Sequence, residues 1–341
     1  MGRKIRVLVV DDSMVFRAVL SRGISSDPYI EVVDTAADPF EARDKIIRYQ
    51  PDVMTCDVEM PKMNGIEFIK RLMPQYPLPV IVVSTISAAV FDAMNAGAVD
   101  FVTKPDVQSA KNVEIFIHEL IVKIKIASTA NVSPLKTTHP GQPALPGIKA
   151  DLGDKMIAVG ASTGGTEAIY KILRALPARM PGMVVVQHIP PLFSRMFAER
   201  LHNSTPFQVK EAETGDAVEP GRVLIAPGDK HMRVKKIGDR YKVECFPGDR
   251  VNGHCPSVDV LFESVAQEAK NQAVGVILTG MGCDGAKGLL HMRRNGARTM
   301  GQDEKSSVVY GMPKVALEIG AVEKQISLEN IPLWIYKIFH S

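Results

Sequence analysis

Two sets of residues in this 341-residue chain have the types and spacing needed for covalent chemistry. The first is acidic. Asp11-Asp12 follow the apolar run at 5–10, and Asp57 follows the run at 52–56. Ser84-Thr85 follow 80–83, and Lys104 follows 101–102. Three carboxylates brought together repel one another unless a cation lies between them. Oxygen ligands with an open face suit Mg²⁺, which keeps waters and bridges to phosphate. A hydroxyl and an ammonium beside them can hold phosphoryl oxygens, and Asp57 could then be the nucleophile that forms an acyl phosphate. Singly, these residues have plainer readings. Asp12-Ser13 before a helix fits an N-cap, and Lys104 alone fits a solvated charge. Their shared position at the ends of successive runs favours a site.

The second set is a serine, a histidine and an aspartate. Gly160-Ala161-Ser162-Thr163-Gly164-Gly165 follows the run at 156–159 and precedes a helical pattern at 167–176. It fits G-x-S-x-G, in which small residues allow a tight strand-to-helix turn that exposes the serine. Backbone N–H groups at the start of the next helix can stabilise an oxyanion. Alone the motif is weak, because glycine-rich turns also cradle phosphates. A serine needs a base, and the base needs an orienting carboxylate. His188 ends the run at 183–187, and Asp284 lies in Thr279-Gly280-Met281-Gly282-Cys283-Asp284-Gly285, after the run at 274–278. Each has a bland reading, as a satisfied strand-end histidine and as a helix cap. The order Ser…His…Asp differs from the Ser…Asp…His of α/β-hydrolases, so the chemistry can be shared while the scaffold differs.

Both sets require strands that end on one edge. The apolar runs are short and rich in β-branched residues, as in parallel sheets buried on both faces. In the first half, strands at 5–10, 31–36, 52–56, 80–83 and 101–102 alternate with helical patterns at 14–25, 39–49, 65–73 and 90–95. In the second, strands are expected at 156–159, 183–187, 223–226, 274–278 and 299–301, with helices at 258–269 and 285–293. The Gly- and Pro-bearing stretch 215–256 reads as strands and turns. The expected fold class is α/β, with two doubly wound parallel-sheet domains whose ligands gather at the C-terminal ends of the strands. Between the halves, Pro134, Pro140, Pro143 and Pro146 stand among Ser and Thr without periodicity, the composition of a semi-extended linker. The expected division is residues 1–126, a linker at 127–152, and 153–341.

Composition narrows the function. Charged residues make up 23% and the net charge is only +3, which argues against a nucleic-acid binder that relies on a basic surface. The scattered Cys56, Cys245, Cys255 and Cys283 argue against a disulfide scaffold and structural zinc, and for reduced thiols in the cytoplasm. The N-terminus does not read as a signal peptide, and no apolar run approaches the roughly 18 residues of a membrane span. A cytoplasmic protein without direct membrane insertion is expected.

The segments VLVVDDS, DVEMPKMNGIEF, VIVVSTIS and GAVDFVTKP resemble the receiver domain of two-component response regulators, over about residues 4–125. The resemblance implies a flavodoxin-like fold, phosphorylation of Asp57 by a chemotaxis histidine kinase, and Mg²⁺ held by Asp11, Asp12 and Asp57. It implies Ser84, preferred over Thr85, as the switch hydroxyl, Phe101 as the switch aromatic and Lys104 as the conserved lysine. Pro61 and Gly65 fit the loop after the phosphorylation site. The segments IAVGASTGGTEAI, VVVQHIPPLFSRMFAERL, VLIAPGDKHM, VNGHCPSVDVLF and GVILTGMGCDGAKGL resemble the catalytic domain of chemotaxis protein-glutamate methylesterases, over about residues 154–340. This second resemblance implies a Rossmann-like domain needing no cofactor for ester hydrolysis. Its substrates would be methyl-accepting chemoreceptors, with glutamine deamidation as a related activity. Ser162 would be the nucleophile, His188 the general base and acid, and Asp284 its orienter, with Thr163 and Met281 lining the oxyanion pocket. Cys283 is expected to be a bystander. The loop Asn252-Gly253-His254-Cys255-Pro256-Ser257 reads either as a turn with Ser257 as a helix cap or as a border of the substrate groove. A phosphoryl pocket tethered to a hydrolase predicts a switch in which the unphosphorylated receiver blocks the Ser162 groove. Two other classes are weighed. A pure interaction module disagrees with an intact serine, histidine and aspartate set, and a transcription regulator lacks a helix-turn-helix output.

Overall fold

Runs such as Val7–Val10 and Val80–Val83 have no polar face, so they are stable only with helices on both sides. That is their setting in the computed structural model, which describes residues 3–85, 87–105, 109–132 and 152–340. The chain divides into two compact units, residues 1–139 and 140–341. Most of the Pro-rich stretch lies outside the described residues.

The first unit runs β1 (Ile5–Val10), α1 (Met14–Ile24), β2 (Ile30–Ala36), α2 (Pro39–Tyr49), β3 (Val53–Asp57), α3 (Gly65–Leu72), β4 (Val80–Ser84), α4 (Ser87–Asn95), β5 (Asp100–Thr103) and α5 (Ala110–Ala127). Its strands pair in parallel in the order β2-β1-β3-β4-β5, the flavodoxin order. Because β1, β3 and β4 are neighbours, the residues that end them share one edge. The cap of α1 is Ser13, whose hydroxyl accepts from the Phe16 N–H. Asp12 is therefore not the cap and stands exposed at that edge.

The second unit runs β6 (Met156–Ala161), α6 (Gly165–Ala175), β7 (Gly182–Gln187), α7 (Pro191–Ser204), β8 (Gln208–Glu211), β9 (Arg222–Ile225), β10 (His231–Ile237), β11 (Arg240–Phe246), α8 (Val258–Glu268), β12 (Ala273–Ile277), α9 (Ala286–Arg294), β13 (Arg298–Gln302), α10 (Met312–Glu318), β14 (Lys324–Ile326) and α11 (Ile331–His340). Seven strands pair in parallel in the order β14-β13-β12-β6-β7-β9-β8. The sequence pattern anticipates five of them. The two it does not mark, β8 and β14, are short edge strands with polar residues. From β6 the chain builds outward through β7, then returns to the other side through β12, so a topological switch point lies beside β6. Residues 215–256 contain β9 and a separate antiparallel pair, β10 and β11. Val184, Val186 and Leu224 of the sheet, Met232, Val234 and Val243 of the hairpin, and Val258, Leu261, Phe262 and Val265 of α8 share one buried core. Burying a side chain such as Phe262 contributes roughly 1.5–3 kcal/mol, and this packing fixes where α8 begins.

Candidate active site

The receiver pocket is built at the ends of β1 and β3. Asp11 is fully buried, and its Oδ1 accepts from the Ser13 N–H at 2.9 Å. The Arg17 guanidinium donates to the carbonyls of Asp11 and Asp12 at 2.7 and 2.9 Å, pinning the turn. The Asp11, Asp12 and Asp57 side chains each offer an oxygen, all within 4.8 Å of one another. The Lys104 ammonium lies 2.7 Å from Asp11 and 2.6 Å from Asp57. Burial pushes the Asp57 carboxyl above the usual range, with Lys104 partly opposing it. Burial also works against the Lys104 charge, but its hydrogen bonds to the two aspartates outweigh this and raise it. One ammonium leaves three carboxylates undercompensated. An all-oxygen donor set with one exposed member fits a hard divalent cation such as Mg²⁺.

Ser84 ends β4 and is buried, in register with Thr103 of β5. The neighbouring Thr85 is exposed, and its hydroxyl donates to Glu59 at 3.3 Å. Phe101 is buried in β5, with the Lys123 ammonium 5.0 Å from its ring centre. Ser84 and Phe101 lie in β4 and β5, and Lys104 follows β5 directly.

In the second unit, β12, β6 and β7 are adjacent, so Ser162, His188 and the segment 279–285 leave neighbouring strand ends; His188 meets Asp284, while no hydrogen bond joins Ser162 to His188 Nδ1. Ser162 follows β6 immediately. Its N–H donates to the Thr279 carbonyl at 3.0 Å, and its carbonyl accepts from Gly165 N–H at 2.7 Å and from the Gln187 amide at 2.9 Å. Two glycines make this turn possible. Gly164 has φ +78°, a conformation L side chains rarely adopt, and opens α6. A Cβ on Gly280 would lie 2.6 Å from the Ser162 Cβ and 2.5 Å from Met312 Sδ. Thr163 is buried, and its carbonyl accepts from the Thr279 hydroxyl at 2.9 Å. Met281 follows Gly280 and is 46% exposed.

His188 follows β7, and its N–H donates to Ala161 carbonyl at 3.1 Å, holding it beside β6. Its Nε2 lies 2.9 Å from Asp284 Oδ2, while its Nδ1 is buried with no hydrogen-bond partner among the described residues. Asp284 is buried and accepts further hydrogen bonds. These come from Asn252 Nδ2 at 2.9 Å, Ser257 Oγ at 2.7 Å and the Val258 N–H at 2.7 Å. Burial alone would raise this carboxyl, but bonds from His188, Asn252 and Ser257 hold it well below the usual carboxylate range. Asp284 therefore stays ionised, and its pairing with Nε2 leaves Nδ1 as the histidine atom able to take a proton.

Several further residues contribute. His254 stacks on His188, with ring centres 3.6 Å apart and planes 9° from parallel. Asp259 is buried and shares the Asn252 amide with Asp284, accepting at 2.7 Å. His231 is buried under the 249–257 loop. Its Nε2 lies 2.9 Å from the Asp249 carbonyl, and its Nδ1 accepts from the Ser257 N–H at 3.2 Å. The Asn252–Ser257 run was readable as a loop of interest, and Ser257 is indeed the cap of α8. Nothing local reveals that it also delivers a hydroxyl to Asp284. Gln187 had one signal, a polar residue closing an apolar strand.

This arrangement defines a class: a phosphoryl-accepting type of acidic pocket on one α/β unit and a serine, histidine and aspartate edge on a second. Residues 7–112 match the family model described as response regulator receiver domain, and residues 157–335 match that described as CheB methylesterase. A protein-glutamate methylesterase/protein-glutamine glutaminase of Syntrophomonas wolfei is 58% identical over 99% of this chain and 98% of its own length. A protein of the same name from Syntrophotalea carbinolica is 54% identical over 97% of this chain and 96% of its own. The crystal structure of the Thermotoga maritima CheB methylesterase catalytic domain aligns with 54% of this chain and 98% of its own, at 37% identity and a TM-score of 0.53. The chain belongs to the CheB methylesterase family.

Proposed function

We propose that this chain is a phosphorylation-controlled serine hydrolase of chemotaxis adaptation. It removes methyl esters from glutamate side chains of chemoreceptors, releasing methanol, and deamidates glutamine at the same site. Residues 1–126 are the receiver, 127–152 the linker and 153–341 the hydrolase. The substrate class comes from the names of the relatives. The observation that carries the chemistry is the meeting of three adjacent strand ends, with Asp284 bonded to His188 Nε2 and Nδ1 unpaired among the described residues.

Ser162 Oγ attacks the ester carbonyl while His188 Nδ1 takes its proton. The resulting imidazolium is balanced by ionised Asp284. The oxyanion faces the backbone of Thr163, just before the Gly164 cap of α6, and of Met281. His188 then returns the proton to the departing methoxide, and methanol leaves an acyl-enzyme. Water, deprotonated by the same nitrogen, releases glutamate and restores Ser162. An amide substrate follows the same course and releases ammonia.

In the receiver, Asp57 accepts a phosphoryl group from the chemotaxis histidine kinase. Asp11, Asp12 and Asp57 would hold Mg²⁺, which when bound supplies positive charge to the phosphoryl oxygens. Lys104 pairs with the modified Asp57, Ser84 offers its hydroxyl, and Phe101 responds to that movement. Phosphorylation thereby relieves inhibition of the hydrolase. The proposed location is the cytoplasm, consistent with the free thiols. No helix among the described residues is long and apolar enough to cross a membrane.

An active-site serine reagent tests the nucleophile. Peptide mapping should place the adduct on Ser162, and His188→Ala should slow labelling at least about 100-fold. An adduct elsewhere, or labelling indifferent to His188, contradicts the assignment.

A further inference from the structure

We infer that His254 is a positioning residue for the hydrolytic reaction, presenting the π face of its ring to the imidazolium that His188 becomes while it carries the serine proton. This rests on the assignment of His188 as the base. The rings lie 3.6 Å apart and 9° from parallel, which is stacking and not hydrogen bonding. Ring nitrogens bond within the ring plane, so two stacked imidazoles cannot pass a proton directly. What one face can do is stabilise a cation lying over it. Asp284 meets the edge of His188 at Nε2, and His254 meets its face. The nascent charge is thus compensated in two perpendicular directions.

The loop that carries His254 is built to hold that ring. Val251 and His254 exchange both backbone hydrogen bonds at 3.0 Å, across Asn252 and Gly253, which have φ values of 52° and 84°. Below this turn, His231 ties the Asp249 carbonyl to the Ser257 N–H. The stack also requires an uncharged His254, because two imidazolium rings face to face would repel. Burial, His188 and Arg250 push it down to about 4, with Asp284 partly opposing, so the ring is neutral when His188 works.

The test is steady-state methanol release from methylated receptor membranes by the full chain with a phosphodonor. Wild type is compared with His254→Phe, His254→Leu and His254→Asn, each checked by thermal melting. Phe keeps a π face and should retain kcat within about threefold, while Leu and Asn should lose about 10- to 30-fold in kcat with KM changed less than about twofold. If Leu fails to fold, Asn against Phe makes the same comparison. Equal activity of Phe and Leu (or Asn), or a loss carried by KM, overturns the proposal. Ser162→Ala runs alongside. Methanol release by that variant would overturn the hydrolase assignment itself, whereas an inactive Ser162→Ala with indifferent His254 variants overturns only the stacking role.

Discussion

Asp284 holds more donors than orienting one histidine requires. Asn252 is the most exposed to contradiction, because its single amide gives one hydrogen to Asp284 and the other to Asp259. Burial raises the Asp259 carboxyl, and the Asn252 amide works against that rise. Asn252→Asp replaces the shared donor with a third acidic group. Asn252 is itself exposed, so losing its donor and adding like charge should destabilise the protein by about 1–3 kcal/mol and lower kcat by about 100-fold. Urea unfolding and methanol release measure the two effects, and a variant of wild-type stability would contradict the network. His254 supplies a pH test. It titrates at about 4 in the folded protein against an ordinary 6.5, so between these values the unfolded chain binds a proton that the folded chain refuses. Stability contributed by the neutral ring is thus present above about 6.5 and lost as pH falls toward about 4. Melting temperature should drop less between pH 7 and pH 5 in His254→Phe than in wild type. Equal drops would contradict a half-buried neutral ring facing His188, Asp284 and Arg250. At this scale, Ser162, His188 and Asp284 were legible because each follows an apolar run. The loop with Asn252, His254 and Ser257 was marked as a turn or a groove border, but its bonds to Asp284 were not readable, because they depend on how α8 packs.

The elements that present the site depend on close approach. Gly280 lets the segment after β12 press on Ser162, whose Cβ and backbone nitrogen would lie 2.6 and 3.1 Å from an added Cβ, and the nearby Met312 is fully buried. Gly280→Ala should cost about 1–3 kcal/mol by overpacking. Labelling of Ser162 by a serine reagent should slow in the same variant. Wild-type stability together with wild-type labelling would show that the turn has slack the structure does not. The central strands of both sheets were legible from β-branched runs with no polar face. The edges were not. Gln208–Glu211 and Lys324–Ile326 are short, polar and paired on one side only, so little in their composition distinguishes them from loop.

For the whole molecule, one chain joins a receiver to a hydrolase, and the two resemblances cover nearly its full length. Sequence alone reached this organisation because each unit ends its strands in chemistry. The block of the Ser162 groove by the receiver stays a proposal, since a linker composition carries no contact information. Asp57→Asn removes the proposed phosphoryl acceptor and changes no residue of the Ser162 edge. Methanol release by this variant should stay at the unstimulated rate when phosphodonor is added, whereas wild type accelerates at least about tenfold. Equal stimulation of both would place the switch elsewhere. The most direct measurement of the central claim is methanol released from methylated receptor membranes, with phosphodonor present, by wild type and by Ser162→Ala that is still phosphorylated at Asp57. The account predicts release by the first and a background rate from the second. Sustained release without the Ser162 hydroxyl would contradict it.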